Sequence, residues 1–289
     1  MIENVTISEV ERELGQLRAA AAEPGELPKL RTSVMTHMAW VPETWVEAAT
    51  ETLGGLAERH PSRTILLFPR PNEERDALDA EVDLRCFRRG GEEREVCSEV
   101  ISVRLCGKRA TAPASVIQPL LVPDLPVFLR WRGECPWGAV ELEELVDVTD
   151  RLIVDSCEWP DVEWGYARLA EILDRVVVSD IAWARTEPWR RAIAGLWPEV
   201  ADGTEIRVAG PYPEALLLAR WLGARLDREI DLRHEPAGEI ELAEVDGREA
   251  VPVRYERPSA SDLLSDQLEI FSRDRVYEET IRTFSSVPT

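Results

Sequence analysis

Arg130, Trp131 and Arg132 stand in a row just before Gly133, and two guanidinium groups flanking an indole are built for contact more readily than for catalysis. Arg and Trp are enriched at the energetic centres of protein interfaces, because they desolvate a large area while still satisfying polar or ionic partners. The apolar run before them, residues 125–129, is rich in strand formers and bounded by Pro and Gly, which predicts a strand covered on both faces. Arg130, Trp131 and Arg132 are then expected to emerge where that strand meets solvent. Trp183, Arg185, Trp189, Arg190 and Arg191 form a second concentration of the same residue types. Trp183 and Trp189 are too far apart to be neighbours on one helical turn, so at least one belongs to a core, and the arginines fit a contact surface or a solvated face equally well.

Catalytic readings are weaker. His60 and Ser62 would be base and nucleophile, but the strained Gly-x-Ser-x-Gly turn that exposes a nucleophile is missing, and His60-Pro61 reads as the end of a helix. His37 has no His or Cys at ligand spacing and reads as structural, so no metal site is expected. Gly210 follows an apolar run and precedes a helical one, where a phosphate is received in many folds. Gly-Pro-Tyr-Pro nevertheless supplies one of the three glycines of a dinucleotide fingerprint and removes two amide donors, which favours a plain strand-to-helix turn and no cofactor. Asp155 falls at the end of a strand, where open sheets place ligands, and Asp161 with Glu163 would suit a hard cation or simply the start of a helix.

The chain has 289 residues, more than one core usually organises, and 55 acidic against 34 basic side chains give a formal charge of −21. That charge opposes docking on phosphate backbones and anionic lipid, so neither nucleic acid nor membrane is an expected partner. No apolar run reaches the roughly 20 residues of a membrane span, and Met1-Ile-Glu-Asn-Val lacks a basic region followed by an apolar one, which predicts a cytoplasmic protein. Cys86, Cys97, Cys106, Cys135 and Cys157 are an odd set without Cys-x-x-Cys spacing, and read as reduced, mostly buried thiols.

These residues need elements to place them. Val10, Leu14, Leu17 and Ala21 recur at helical spacing, with Ser8 as N-cap and Glu11 completing a capping box, and Glu23-Pro-Gly-Glu stops that helix. Residues 30–38 read as a weak strand, 43–58 as a helix carrying Trp45, Ala48, Leu53 and Leu56 inward, and 64–68 as a buried strand. Residues 79–88 and 95–105 alternate as two half-exposed strands joined through Arg89-Gly-Gly-Glu. A short helix at 115–121, a helix at 141–148 and a strand at 151–154 complete a first domain closing near 160. The second domain, 161–289, should hold helices at 162–173, 189–196 and 213–222, the last ending at Gly223, and a strand at 205–209. A terminal meander at 229–233, 239–245 and 250–254 and a charged helical tail over 262–284, frayed at its end, complete it. Strands alternating with helices predict an α/β class with mixed α+β elements: two domains, each a mixed sheet with packed helices, and an antiparallel portion supplied by the strand pair.

Six blocks then carry a family resemblance. Arg31-Thr-Ser-Val-Met-Thr-His-Met-Ala-Trp-Val-Pro42, His60-Pro-Ser-Arg-Thr-Ile65, Val96-Cys-Ser-Glu-Val-Ile101, Leu125-Pro-Val-Phe-Leu-Arg-Trp-Arg-Gly133, Asp150-Arg-Leu-Ile-Val-Asp-Ser156 and Asp180-Ile-Ala-Trp-Ala-Arg185 resemble, in order, the signature blocks of the OpcA family. That family is named for assembly of glucose-6-phosphate dehydrogenase. The resemblance implies a non-catalytic partner that binds the dehydrogenase and raises its activity or favours its oligomeric form, in the oxidative pentose phosphate pathway. It also implies thiol-dependent control in some photosynthetic members, for which the five isolated cysteines offer no assignable redox pair. The expected partner surface is Arg63, Arg130, Trp131 and Arg132 with Arg185, Trp189 and Arg190. The alternative is an α/β enzyme or sensor for a sugar phosphate or nucleotide, using the Gly210 turn and Asp155.

Overall fold

The computed structural model describes residues 2–20, 29–30, 33–54, 56–60, 62–88, 95–253 and 258–286, and the chain divides into two compact units, Met1–Ile153 and Val154–Thr289. The first unit runs α1 (Ile7–Ala20), β1 (Lys29–Leu30), β2 (Thr36–Trp40), α2 (Val46–Gly54), α3 (Leu56–Arg59), β3 (Arg63–Arg70), β4 (Leu78–Arg88), β5 (Glu95–Cys106), α4 (Ala114–Ile117), β6 (Val127–Trp131), α5 (Val140–Asp147) and β7 (Arg151–Val154). Its strands form one mixed sheet in the order β1-β5-β3-β2-β6-β7, with β4 also paired to β5. The pairings β5–β3, β3–β2, β2–β6 and β6–β7 are parallel, and β4–β5 is antiparallel, so the long strand pair supplies the antiparallel edge as its alternation predicts.

Position in the sheet explains burial. β2 and β6 lie inside it and every one of their residues is buried, the continuous pattern expected of strands covered on both faces. Ala39, Val41 and Ala49 make a cluster beneath the half-buried Trp45, Val46, Leu66 and Phe68, which seats α2 on one face. Of the residues expected to point inward from this helical stretch, Leu56 is buried while Trp45, Ala48 and Leu53 are only half-buried. A 3-10 turn, Glu43–Trp45, precedes α2. β5 is an interior strand and is buried over most of its length, unlike the half-exposed partner β4. The N-cap of α1 is Thr6, not Ser8: its hydroxyl receives the Glu9 amide at 3.3 Å while Glu9 returns a carboxylate to the Thr6 amide at 2.8 Å. Glu23-Pro-Gly-Glu and Arg89-Gly-Gly-Glu lie outside the described residues.

The expectation of five separate thiols is corrected at one pair. Cys86 stands directly opposite Cys97 in the β4–β5 register, and the two form a disulfide. Eleven residues of sequence separation carry no sign of this, because only the hairpin register aligns them. Cys106, Cys135 and Cys157 are not disulfide-bonded; the first two are buried and Cys157 is exposed.

The second unit contains α6 (Val162–Ile172), β8 (Val177–Asp180), α7 (Ile181–Arg185), α8 (Glu187–Ala194), β9 (Glu205–Gly210), α9 (Tyr212–Leu226), β10 (Asp231–Pro236), β11 (Leu242–Val245), β12 (Arg248–Glu249), α10 (Ala260–Glu269) and α11 (Arg275–Arg282). Its four-stranded sheet has the order β10-β9-β11-β12. β9 and β10 are parallel and joined through α9, a crossover, so this region is not the simple meander expected. α9 runs through Gly223 and ends where Asp227 adopts the left-handed conformation at φ 51°, four residues further than its apolar stretch suggests. β11 and β12 turn back on each other at Asp246-Gly247, both with positive φ, the sequence pair that a two-residue hairpin favours. The expected single tail helix is two, α10 and α11, each started by a side-chain cap, Ser259 and Asp274. Among the described residues no helix is long and apolar enough to cross a membrane.

Candidate functional site

Arg130, Trp131 and Arg132 do not reach solvent. Trp131 is 1% exposed and stacks on Trp40, its neighbour in register on β2, with ring centroids 4.9 Å apart. Its Nε1–H donates to the carbonyl of Glu134 at 3.1 Å. The Arg132 amide donates to the Trp40 carbonyl at 3.1 Å, so pairing with β2 continues past the end of β6 and carries the row inward. Arg132 Nη2 donates to Thr52 Oγ1 at 2.7 Å, and Arg130 Nη1 donates to the Trp131 carbonyl. Gly133 then turns with φ 76°, and a Cβ there would lie 2.8 Å from Trp45 Nε1. The row ties β6 to β2 and α2, and the expectation that it faces outward is overturned by this interior placement.

Arg63 is also buried, donating from Nε to Glu99 Oε2 at 2.9 Å and from Nη1 to the Leu120 carbonyl at 2.7 Å. Glu99 accepts a second guanidinium, Arg18, at 2.8 and 3.0 Å. A buried carboxylate held by two arginines is costly to break at any one member, because the remainder is left charged and unpaired. His37 lies at the middle of the sheet, 1% exposed, its Nε2 without a partner among the described residues. Burial first, then the neighbouring His60, Arg130 and Arg132, pushes its pKa down to about 4, so it is neutral at pH 7. The Ser62 hydroxyl meets Thr64 Oγ1 at 3.2 Å.

The second unit holds the denser polar network. Asp155 follows β7 and caps a 3-10 turn, Ser156–Glu158; Arg185 ends α7; Glu214 lies in the first turn of α9. Arg185 grips Asp155 with both Nη atoms, at 3.1 and 2.6 Å, and spares a longer contact of 3.3 Å for Glu214. The pairing shows in opposite senses on the two sides: Arg185 is held more firmly protonated, chiefly against the pull of burial by Asp155, while Glu214 is raised to about 7 because burial and Asp155 outweigh its share of Arg185. The Cys157 sulfur turns toward Glu214 Oε1 at 3.7 Å; although the residue as a whole is exposed, its sulfur end is desolvated there, and this with the Asp155 and Glu214 carboxylates holds it as a thiol. Beneath lies a second cluster. Asp180 accepts from the amides of Ser156 and Ala182 at 3.1 and 2.9 Å and from the Tyr166 hydroxyl at 3.1 Å, while that hydroxyl also bonds Ser156 Oγ at 2.6 Å. Burial and then Asp155 raise Asp180 to about 6. Ser156 and Tyr166 are both 0% exposed, so this constellation offers no surface to a substrate.

Trp189 is buried, and Arg190 lays its guanidinium 3.4 Å above the Trp183 ring while bonding Thr186 Oγ1 and the Trp183 carbonyl. Burial lowers its pKa to about 10, still charged at neutrality. Trp183 Nε1 in turn donates to Asp274 Oδ2 at 2.8 Å. The structure therefore joins Arg185 to Asp155, turns Arg190 onto Trp183 and Thr186, and places Arg63, Arg130, Trp131 and Arg132 in the other unit's interior. Gly210 sits where a Cβ would come 3.0 Å from the Ile240 backbone, a packing need instead of a phosphate cradle. Asp161 caps α6 through the Trp164 amide, and Glu163 accepts the Tyr212 hydroxyl at 2.8 Å, so the two do not converge. Among the described residues no cluster of His, Cys, Asp and Glu is arranged to hold a metal. Asp180 and Glu214 escaped the sequence reading. Asp180 had a legible signal, an acid directly before a short helical run; Glu214 had only its oddness within Tyr-Pro-Glu-Ala-Leu-Leu.

Residues 54–177 match the glucose-6-phosphate dehydrogenase subunit N-terminal domain, and residues 176–281 match the C-terminal domain of the same subunit. The chain is 25% identical over 205 residues to a candidate OxPP cycle protein named OpcA from Nostoc punctiforme, covering 66% of this chain and 43% of that protein. A protein of the same name from Synechocystis is 25% identical over 188 residues, covering 59% and 38%, and one from Synechococcus elongatus is 24% identical over 205 residues, covering 67% and 46%. The chain thus spans less than half the length of these relatives. Two domain descriptions that abut and together run from residue 54 to residue 281 place this chain in the OpcA family.

Proposed function

We propose that this protein is a non-catalytic partner of glucose-6-phosphate dehydrogenase, which it binds to favour the enzyme's assembled, active form in the oxidative pentose phosphate pathway. The observation that carries this reading is the unbroken succession of the two dehydrogenase-subunit domains over most of the chain. The polar constellations support it: Asp155–Arg185–Glu214 and Ser156–Tyr166–Asp180 are turned on one another inside the second unit. Such networks stiffen a scaffold. A partner of this kind need only prefer the active conformation of its target, and a coupling of about 1–3 kcal/mol changes apparent affinity from several-fold to over a hundredfold.

The test is a mixing experiment with the dehydrogenase of the same cell. Co-elution on size exclusion and faster initial rates at limiting glucose 6-phosphate are expected. Separate elution with unchanged rates would overturn the reading, and turnover of a small molecule by the purified chain alone would replace it with an enzymatic one.

A further inference from the structure

We infer that the groove between α9 and β10 takes an extended segment of the dehydrogenase as an added strand, with a carboxylate of that segment placed on Arg220. This rests on the partnership proposed above and assigns it a face. β10 is an edge strand: it pairs with β9 on one side and, among the described residues, with no strand on the other. The Asp231 amide donates to the Thr204 carbonyl at 2.9 Å, which turns Asp231, Arg233 and Glu235 toward β9. The alternation of a parallel ladder then directs the backbone N–H and C=O groups of Leu232 and His234 outward, unpaired within the sheet. An edge with free backbone groups beside a helix is how several peptide-binding domains recruit a strand: the main chain gives affinity and a flanking groove gives specificity.

That groove is present, about 720 Å3 in volume, lined by Tyr212, Leu216, Arg220 and Gly223 from α9 and by Leu232 and His234 from β10. Its apolar floor suits a small or aliphatic side chain. Its charged lining is mixed, Arg220 and Arg228 with Glu229 and Asp231, but Arg228 already meets Asp202 at 3.8 Å and Asp231 meets Arg233 at 3.3 Å. In a chain with 55 acidic residues, the described structure gives the Arg220 guanidinium no carboxylate; it lies 4.9 Å over the Phe284 ring. A cation left on an aromatic face beside an open strand edge is poised for an anionic group brought by the occupant. The His234 ring is already fixed, Nε2 to the Gly210 carbonyl at 2.8 Å and edge-on to Tyr212, so the wall is formed before binding.

Amide hydrogen exchange on the full chain, alone and mixed with the dehydrogenase, reads this directly. Complex formation is expected to slow exchange at Leu232 and His234, and Arg220→Glu and Leu232→Pro are each expected to weaken the complex at least tenfold while leaving the circular dichroism unchanged. A complex that forms without protection on β10, or that Arg220→Glu leaves at full affinity, overturns the assigned face while the proposed function stands. Protection of β10 in the chain alone at raised concentration would make the occupant a second copy of this chain, against the inference. Failure of any complex to form overturns both.

Discussion

Glu214 lies where burial outweighs attraction, because Arg185 has committed both Nη atoms to Asp155 and offers Glu214 only its longer contact. The carboxyl therefore keeps its proton up to about pH 7, against 4.5 for an ordinary glutamate. Between those values the folded state binds the proton that the unfolded chain has released, so stability falls as pH rises through this window, by about 3 kcal/mol in all. Glu214→Gln keeps an acceptor for the Cys157 thiol and for Arg185 but does not titrate. Urea midpoints of the variant are expected to rise relative to the parent from pH 5 to pH 8; an unchanged difference would show that Glu214 ionises normally. Trp131 makes a different case. Its 1% exposure and its stack on Trp40 mean that Trp131→Ala opens a large cavity in the sheet's centre, with an expected loss of about 3–5 kcal/mol in unfolding free energy. A variant that unfolds like the parent but binds the dehydrogenase weakly would restore Trp131 to the surface role its sequence suggested.

At the scale of elements, the strands with clear periodicity were legible and their depth was not. The alternation over 79–88 and 95–105 marked β4 and β5, and the apolar run at 64–68 marked β3, because period and composition are local properties. Whether a strand end faces water is decided by its neighbours. β6 lies between β2 and β7, so Arg130–Trp131–Arg132, which looks like an exposed edge in one dimension, is enclosed in three. β10 was legible as a strand but not as a parallel one, since the crossover direction depends on where α9 stops, and Asp227 ends it in place of Gly223. The disulfide was hidden for the same reason: it is a fact of register. Cys86 and Cys97 are separated by 11 in sequence, and closing a loop of that size stabilises by at most about 3 kcal/mol in the chain-entropy account. Cys97→Ser, or treatment with a reductant, is expected to speed amide exchange in β4 and β5 by up to about a hundredfold without loosening the second unit. Equal exchange in both redox states would mean that the hairpin is held by β3 and its own ladder alone.

His37 in the first unit and the Asp180 and Glu214 carboxyls in the second link stability to protons in opposite directions, so one pH–stability curve for the whole molecule sums opposed contributions. In the first unit, His37 is neutral when folded, down to about pH 4, against 6.5 for an ordinary histidine, and it is enclosed with His60, Arg130 and Arg132. Between these values the unfolded chain binds the extra proton, so the unit loses stability as pH falls from 6.5 to 4, by about 3 kcal/mol. In the second unit, Asp180 and Glu214 hold protons up to about 6 and about 7, above their ordinary 3.8 and 4.5, so stability is lost as pH rises through those ranges. A two-state scheme assumes one cooperative transition, and units with separate cores and opposed linkage need not share one. Hydrogen exchange at pH 5 and pH 8, corrected for intrinsic rates, is expected to find the first unit opening more readily at the lower pH and the second at the higher. Parallel changes in both units would contradict the burial of either His37 or the Asp180–Glu214 pair, and His37→Gln, which should flatten only the first unit's response, would identify which.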